Sequence, residues 1–327
     1  MKKSTQVKSN PFLHTDSNKR YHTYDYYLRK TYGGKCAKIT LDAGFSCPNI
    51  DGRRATGGCI YCSSRGSGDF AQSPRLSLRE QYERQCALIT KKWDTPRFIP
   101  YLQAHTNTYA PIDRLKEVYT EALSLPGAVA LHIATRADCL GDEVLSLLCE
   151  VSEQIPLTVE LGLQSMHDKT AERINRAHSL SEFVCGFSAI RERVPRARIG
   201  VHLINGLPGE NREMMLSSAA FVGSLLPNEI KIHLLHVLKN TPLAEMYACS
   251  EYTPLLKEEY VEIVAHQLSY IPKNVVMGRL TGDGAASELL APLWSLKKTS
   301  VLNDIDKYLF ENNLWQGKFV DIAQKSM

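Results

Sequence analysis

The chain has 327 residues, of which 43% are hydrophobic and 23% charged, and its formal net charge is +4. This length suits one large α/β domain or two smaller ones, and the composition is that of a globular protein, which excludes a disordered or fibrous chain. No apolar run approaches the roughly 18 residues that span a bilayer, and the polar N-terminus lacks the apolar stretch of a signal peptide. We therefore expect a cytoplasmic protein with no membrane partner, whose nine cysteines are reduced thiols.

The N-terminal segment, residues 1–35, is basic and rich in tyrosine. Eight Lys and Arg residues stand against two Asp, a net charge of +6, whereas the whole chain carries only +4. Basic side chains interleaved with aromatic ones could bind a phosphate backbone and stack on bases. The charge pattern alone favours the alternative, a solvated tail followed by a packed aromatic helix.

Short β-rich runs then alternate with amphipathic stretches, which is typical of a parallel sheet wound with helices. The predicted strands are 37–45, 97–104, 130–137, 157–164, 198–206 and 229–237. The predicted helices are 77–93, 112–124, 142–154, 168–193 and 212–225, with two more near 257–270 and 302–314. We divide the chain into a basic extension at 1–35, a core at 36–240 and a C-terminal extension of helical and mixed character at 241–327.

Each predicted strand carries polar or small residues on one face, because successive side chains of a strand point to opposite faces. In the fourth strand, for example, Glu160, Gly162 and Gln164 share a face. A flat sheet covered on both faces would have nearly continuous apolar strands instead. The pattern therefore predicts a barrel or partial barrel whose interior holds a polar ligand, although any one of these residues alone is more often a satisfied core group.

Three cysteines, Cys47, Cys59 and Cys62, occur in the run CPNIDGRRATGGCIYC with the spacing C-x11-C-x2-C. Three thiolates that bind a four-iron cluster leave one iron open to a substrate or cofactor. A C-x2-C pair by itself also suits zinc or a redox dithiol. Since a structural zinc site needs a fourth ligand, and no second C-x2-C is present, an iron–sulfur cluster is the favoured interpretation.

The sequence resembles the radical S-adenosylmethionine (SAM) superfamily, and within it the bacterial YtqA/YhcC (MnmL-like) subgroup. The resemblance extends from YHTYDYYLRKTYGG at 21–34 to IKIHLLHVLKNTPL at 230–243 and includes CPNIDG, YLQAHTNTYAP, ATRADCL and GVHLINGLPGE. It implies an α/β fold, a partial (β/α)6-type TIM barrel of the radical SAM type, with a [4Fe-4S] cluster bound by Cys47, Cys59 and Cys62. SAM would occupy the open iron. The superfamily's usual cysteine spacing, C-x3-C-x2-C, is shorter than the one here.

The same resemblance implies residues for the SAM site, since a barrel binds ligands at the C-terminal ends of its strands. Tyr61, directly before the third cysteine, would pack on adenine, and Gly206 would let the backbone approach it. The remaining candidates for SAM binding are Gln103, Asn107, Thr108, Lys116, Glu160, Gln164, Ser165 and Asp168. Asp168 could equally cap the following helix, and solvent is the safer expectation for Lys116.

Three residues at the end of the third strand, Arg136, Asp138 and Cys139, are the candidates for handling the substrate. Cys139 could donate a hydrogen atom, but a buried structural thiol is the better expectation for it. The resemblance further implies that reductive cleavage of SAM gives a 5′-deoxyadenosyl radical, with a flavodoxin- or ferredoxin-type electron donor.

The expected substrate is tRNA, in which a carboxymethylaminomethyl group at C5 of the wobble uridine would become aminomethyl. Arg53, Arg54 and Arg65, around the cysteines, could hold the RNA backbone. Two alternatives stay open. One is a radical SAM enzyme that acts on a small metabolite such as a tetrapyrrole, and the other is a non-catalytic iron–sulfur or zinc protein.

Overall fold

The computed structural model describes residues 10–66, 71–282 and 284–320. The strands are β1 (Ala37–Leu41), β2 (Phe98–Leu102), β3 (Leu131–Thr135), β4 (Leu157–Gln164), β5 (Arg198–Asn205), β6 (Glu229–Leu234), β7 (Val237–Leu238), β8 (Val276–Arg279) and β9 (Leu289–Ala291). The helices are α1 (Tyr24–Tyr32), α2 (Leu78–Thr90), α3 (Ile112–Leu123), α4 (Asp142–Gln154), α5 (Asp168–Arg173), α6 (Leu180–Arg193), α7 (Arg212–Ser224), α8 (Pro242–Ala248), α9 (Lys257–Tyr270) and α10 (Lys298–Glu311).

Seven of these strands form one parallel sheet in the order β1-β2-β3-β4-β5-β6-β8. The six predicted strands are all present. The seventh, β8, was missed because it has only four residues and follows a proline-terminated helix. It pairs with β6 although it lies beyond residue 240, so the segment predicted as a C-terminal extension supplies a strand of the core sheet. The division of the chain at 35 and 240 stays a prediction.

The sheet is curled into a partial barrel. Lys38 on β1 and Lys231 on β6 both bond the carboxylate of Glu160, the former at 3.1 Å. Neighbouring strands lie about 4.8 Å apart, so β1 and β6 would be about 24 Å apart in a flat sheet. Only strong curvature brings both lysines to one carboxylate. Since β1 and β8 are not paired with each other, the predicted partial barrel is confirmed, with seven strands instead of six.

The apolar core lies on the convex face of the sheet, under the helices. Val159 and Leu161 of β4 point there and are fully buried in one cluster with Phe183 and Phe187 of α6. Burial of each such side chain contributes about 1.5–3 kcal/mol. Gly186 lets α6 approach the end of β3, because a Cβ there would lie 2.2 Å from the carbonyl oxygen of Ala137.

The predicted helix 168–193 is interrupted, and the interruption shapes the site. Asn175 and Ala177 have positive φ angles of 53° and 58°, which a continuous helix cannot contain. The second piece, α6, restarts at Ser179, whose hydroxyl and the carboxylate of Glu182 form a capping box. Between the two helices the chain turns Arg176 into the interior, where it is 1% exposed.

The N-terminal segment packs on the barrel, as the alternative interpretation of its charges predicts. The amide of Met277 donates to the carbonyl of His22 at 2.8 Å, which covers the free edge of β8. Arg20 is 3% exposed and donates to the carbonyl of Leu314 at 3.4 Å, and Lys19 pairs with Asp306. Lys2, Lys3 and Lys8 lie outside the described residues. Among the helices described, none has the length and hydropathy needed to cross a membrane.

Candidate functional site

A cavity of about 980 Å³ fills the concave face of the sheet. All seven strands contribute to its wall, through Lys38, Tyr101, Thr135, Glu160, His202, Lys231 and Arg279. The predicted polar face of the strands therefore lines one cavity. The loop that follows β1, which we call the cysteine loop (42–66), lines the cavity as well and brings all three predicted cysteine ligands to it, Cys47, Cys59 and Cys62.

Two asparagines that sequence reasoning missed fix the cysteine loop in place. Asn49 is fully buried and its side-chain amide donates to the carbonyl of Asn175. In return, the amide of Asn175 donates to the carbonyl of Gly58 at 2.7 Å. Asn49 Nδ2 also lies 3.7 Å from the sulfur of Cys59. The wide spacing between the first two cysteines is thus a folded loop, tied to the turn between α5 and α6.

The thiols lie in a positively charged environment. A hydrogen bond from Cys62 lowers the pKa of Cys59 to about 7 against the opposing effect of burial, and the guanidinium of Arg136 acts in the same direction. Arg136 also faces Cys47, whose charge helps to raise the pKa of that arginine. The cation beside Cys59 favours the thiolate form of that residue, which is the form that binds metal.

The three cysteines are available as ligands, since all cysteines of the described residues are free thiols. In a four-iron cluster each thiolate binds a different iron, so three free cysteines that line one cavity suit such a group.

Arg136 and Asp138 form a paired unit next to the cysteines. The guanidinium donates to both carboxylate oxygens of Asp138 at 2.9 Å each, and a further donor contacts the carbonyl of Arg176 at 2.8 Å. Arg136 lines the cavity, whereas Asp138 and Cys139 do not. Burial raises the pKa of Cys139 to about 12, which agrees with a structural thiol. The substrate-handling function predicted for these three residues stays a prediction.

Three of the predicted SAM contacts line the cavity near the cysteines: Tyr61, Gln103 and Gln164. Gln103 follows β2, and Gln164 ends β4 with a positive φ of 63°. Both therefore lie at the C-terminal edge of the sheet, where ligands of barrels bind. Strained backbone at such a position is typical of functional sites. Contact of these side chains with SAM stays a prediction.

Four other candidates are buried or bonded elsewhere in the protein. The side-chain amide of Asn107 donates to the carbonyl of Ala134 at 2.9 Å. The hydroxyl of Thr108 donates to the carbonyl of Cys139 at 2.7 Å. Ser165 donates to Glu210. Lys116 is exposed on α3. None of the four lines the cavity. Asn107, Thr108 and Ser165 bond residues around the cavity wall, and Lys116 lies in solvent.

Asp168 and Gly206 also lie apart from the cavity. Asp168 is half-exposed, and its Oδ1 accepts from the amide of Leu180 at 2.7 Å. Asp168 therefore bonds the first residue of α6. It was predicted to cap the helix that follows it directly, which is α5, so the capping contact is made with a different helix. Gly206 has a φ of 88° and lines a separate cavity of about 160 Å³, where its carbonyl accepts from the hydroxyl of Tyr252 at 2.8 Å.

Glu160 lies at the centre of a group that we call the inner cluster: Lys38, Tyr101, His132, Glu160, His202 and Lys231. Its Oε1 accepts from Lys38 at 3.1 Å and from His132 at 2.8 Å. Its Oε2 accepts from Tyr101 at 2.7 Å, from His202 at 2.8 Å and from Lys231. A carboxylate has about four acceptor positions, and five donors of the protein already surround this one. Contact between Glu160 and SAM stays a prediction.

The ionisation of the inner cluster follows from its burial. Burial acts to raise the pKa of Glu160, but the ammonium groups of Lys231 and Lys38 hold it well below its ordinary value. Burial and the charges of Lys38 and Lys231 lower the pKa of His132 to about 3. Burial and the charges of Lys231 and Arg279 lower the pKa of His202 to about 4. At neutral pH the cluster therefore contains the carboxylate of Glu160 and neutral imidazoles, and burial lowers the pKa of Lys231 to about 8.

Arg176 is the residue near the cysteines that no sequence motif indicated. It lines the cavity, donates to the carbonyl of Ser165 at 2.6 Å, and its charge lies within range of Cys59 and Tyr61. In the sequence it is one arginine in the middle of an apparent helix. The only signal was its place in the run NRAHS, where an asparagine offers a helix break.

Known protein families and individual proteins are similar to this chain. The chain matches the radical SAM superfamily over residues 49–222 and the Radical_SAM C-terminal domain over 227–311. It is 43% identical to YtqA of Bacillus subtilis, over 96% of this chain and 97% of YtqA, and 35% identical to YhcC of Escherichia coli K12, over 88% and 91%. It is also 26% identical to the tRNA uridine(34) acetyltransferase of Methanocaldococcus jannaschii, over 57% of this chain but only 34% of that protein.

The fold has a counterpart among solved structures as well. The archaeal Elp3 of Methanocaldococcus infernus superposes with a TM-score of 0.62 at 19% identity, covering 86% of this chain and 64% of that chain. Curled parallel strands around a polar cavity, with three cysteines on its wall, define a partial barrel with thiols at its central cavity. More narrowly, the chain belongs to the radical SAM superfamily, in the group that includes YtqA and YhcC. The cofactors of that superfamily are SAM and a [4Fe-4S] cluster.

Proposed function

We propose that Cys47, Cys59 and Cys62 hold a [4Fe-4S] cluster and that the enzyme uses it with SAM to modify the wobble uridine of tRNA. The observation that carries the proposal is the common location of the three cysteines with Tyr61 and Gln103 on the wall of one cavity. When bound, the cluster supplies the electron that cleaves the sulfonium bond of SAM. A flavodoxin- or ferredoxin-type protein would deliver that electron.

The chain's own residues supply charge balance and position around these groups. Arg136 and Arg176 would offset the negative charge of the thiolates, and the Asn49–Asn175 pair bonds the cysteine loop to the turn between α5 and α6. Tyr61, adjacent to Cys62, would cover the adenine, and Gln103 and Gln164 would bond the polar groups of SAM. The closed convex core keeps water from the opposite side of the sheet, which protects a reactive intermediate.

The tRNA substrate is supported by similarity and by the size of the cavity. The similarity to a tRNA uridine(34) acetyltransferase covers 57% of this chain. A cavity of about 980 Å³ lies at the upper end of the range for ligand sites, so it has room for SAM together with a nucleoside. In the proposed reaction SAM, as the two-electron oxidant, would remove hydrogen from the methylene between the nitrogen and the carboxylate, and would itself become methionine and 5′-deoxyadenosine. Water would then hydrolyse the resulting imine, which breaks the N–C bond and gives aminomethyluridine and glyoxylate.

Exposed arginines near the cavity would contact the RNA backbone. Arg53 lies over the ring of Tyr109, with 5.8 Å between guanidinium and centroid, and Arg65 donates to the carbonyl of Ala71 at 2.7 Å. Both side chains are held by one neighbour and keep donors for phosphate. Arg54 is less available, since it pairs with Glu182 at 2.7 Å and with Asp138 at 3.5 Å.

The test uses anaerobically reconstituted, dithionite-reduced enzyme with SAM. The formation of 5′-deoxyadenosine is measured with and without bulk tRNA from cells that lack this gene, and the tRNA nucleosides are analysed by mass spectrometry. The proposal predicts that this tRNA stimulates cleavage and gains aminomethyluridine. If the rate of SAM cleavage is the same with and without tRNA, the substrate is a small molecule. If the cluster-loaded protein does not cleave SAM, its function is non-catalytic.

Two cysteine variants serve as a matched pair in this test. Cys59→Ala removes a proposed ligand, whereas Cys185→Ala changes an exposed cysteine on α6. The first should lose SAM cleavage, and the second should keep it at the level of the unchanged enzyme.

A further inference from the structure

The wall of the cavity carries more positive than negative charge. Lys38 and Lys231 face the single ionised carboxylate of Glu160. Arg279 on β8 lines the same cavity, and its charge acts on Lys231. Glu229 lies next to this group, but burial raises its pKa, and neither of its carboxylate oxygens has a hydrogen-bond partner among the described residues. A surplus of cations in a cavity closed on one side favours an anionic ligand.

A second observation at the same wall points to a ligand. The Nε2 atom of His233 is screened from solvent, and no described residue forms a hydrogen bond with it. His233 lines the cavity, and its ring centroid lies 5.1 Å from that of His202. A buried donor or acceptor without a partner costs about 1–3 kcal/mol. A ligand in the cavity could therefore form a hydrogen bond with His233 Nε2.

The sheet register brings these side chains together. His202 on β5 is paired with Lys231 on β6, and Lys231 with Arg279 on β8. His233 lies two residues further along β6, one layer closer to the C-terminal ends of the strands. We call these four residues, His202, Lys231, His233 and Arg279, the basic wall. It lies on the β5–β8 side of the cavity, whereas Gln103 follows β2 on the other side.

We propose that the basic wall binds an anionic group of the substrate. On the proposed function, on which this inference rests, that group is the carboxylate of the carboxymethylaminomethyl side chain. Lys231 and Arg279 supply the charge, and His233 Nε2 donates a third hydrogen bond to the carboxylate. Glu160, fully bonded by the inner cluster, fixes the position of Lys231 and His202 and is a positioning residue.

This arrangement makes the carboxylate a requirement for tight binding. A carboxylate bonded by two cations and an imidazole gains charge-assisted hydrogen bonds, which are roughly twice as strong as neutral ones. A substrate without the negative charge would bring no acceptor of opposite charge to Lys231 and Arg279. The enzyme should therefore bind its own product, the aminomethyl nucleoside, weakly, because that product keeps the amine but has lost the carboxylate.

The test compares two anticodon stem-loop RNAs that differ in one group. One carries carboxymethylaminomethyluridine at the wobble position, and the other carries its methyl ester, which has the same shape but no negative charge. Dissociation constants are measured anaerobically with the cluster-loaded enzyme and SAM, and 5′-deoxyadenosine is measured in parallel. We expect the unchanged enzyme to bind the carboxylate RNA about tenfold more tightly than the ester or better, the equivalent of one charge-assisted hydrogen bond.

Two variants test the wall, and one serves as the control. In Lys231→Met and in His233→Phe the preference should fall to about twofold or less, a difference below one weak hydrogen bond. Lys239→Met removes an exposed lysine that donates to the carbonyl of Ser287, and it should keep the preference. Thermal unfolding of each variant shows whether it folds. His233→Phe keeps the test valid if Lys231→Met does not fold, because it leaves the bonds to Glu160 intact.

The outcomes separate this inference from the proposed function. If both RNAs stimulate SAM cleavage but bind the unchanged enzyme equally, the basic wall does not bind the carboxylate and the tRNA function stands. If the preference exists and survives in both variants, the carboxylate binds elsewhere and the inference is overturned. If neither RNA binds or stimulates cleavage, the tRNA function fails and this assignment fails with it.

Discussion

Arg136 and Asp138, two residues apart at the end of β3, form a buried ion pair through two hydrogen bonds of 2.9 Å each. The side chain of Asp138 is 1% exposed and that of Arg136 is 10% exposed. The pair links the third strand to the cysteine loop, since Arg136 faces Cys47 and Cys59. It thereby places a compensated positive charge next to the proposed cluster ligands.

Asp138→Asn should destabilise the protein strongly. It removes the charge that compensates a buried guanidinium, and breaking a buried pair from one side costs about 3–5 kcal/mol. Asp142→Asn is the matched control, because Asp142 pairs with Arg193 on the surface and is 90% exposed, so the loss there should be at most about 1 kcal/mol. Urea unfolding of both variants measures the difference. Equal losses would show that the Arg136–Asp138 pair contributes no more than a surface pair.

Serine substitution at each of the three cysteines should prevent cluster assembly. Cys47→Ser, Cys59→Ser and Cys62→Ser each remove one thiolate, and two thiolates leave two irons of the cube without protein ligands. Iron and sulfide content after anaerobic reconstitution should fall from about four of each per chain to a small fraction of that. Cys149→Ser, on α4, should bind as much iron as the unchanged protein. Full iron content in any of the three variants would remove that cysteine from the ligand set.

The free energy of unfolding should fall as the pH is lowered from 7.5 to 5.5. The pKa values of His132 and His202 in the folded protein are about 3 and about 4, below the ordinary value near 6.5. Between about pH 6.5 and pH 4 the unfolded chain therefore binds protons that the folded chain does not, so acid favours unfolding. Each histidine should account for about 1.4 kcal/mol at pH 5.5.

Histidine variants measured by urea unfolding at the two pH values isolate this effect. His132→Asn and His202→Asn keep an amide donor for Glu160 but lose the proton-binding site, so each should reduce the pH-dependent loss. If the inner-cluster variants lose as much stability on acidification as the unchanged protein, the imidazoles are not buried as neutral groups.

Gly186→Ala should destabilise the protein, against the intrinsic preference of helices. In an exposed helix interior this change stabilises by about 1 kcal/mol. Here the new Cβ would lie 2.2 Å from the carbonyl oxygen of Ala137, and overpacking of this kind costs about 1–3 kcal/mol. Gly141→Ala, whose Cβ would meet nothing within 4 Å, should change the free energy of unfolding by less than about 1 kcal/mol. A stabilised Gly186→Ala protein would show that α6 moves away from the β3 end without cost.

Much of the fold could be predicted from local pattern. The β-rich runs and amphipathic stretches located six strands of the sheet and most of the helices, because side-chain periodicity reports which face of an element is buried. Several elements were missed, among them β7, β9 and α8, and two of the failures have a clear physical reason. The strand β8 is too short to have a period, and the break at Asn175 depends on a positive φ that no neighbouring glycine or proline announces.

The sequence by itself determined the chemistry of the site. The order of residues along the chain specifies the three thiols, the aromatic residue beside them and the polar face of each strand. Only the tertiary structure decided the neighbours. Glu160, predicted to bind SAM, accepts bonds from β1, β2, β3, β5 and β6 at once, which the curvature of the sheet alone makes possible. Arg176, invisible as a motif, reaches the cysteines because a helix breaks before it. Distances between strands depend on register and curl, and these are set by the packing of the whole chain, which local sequence does not encode.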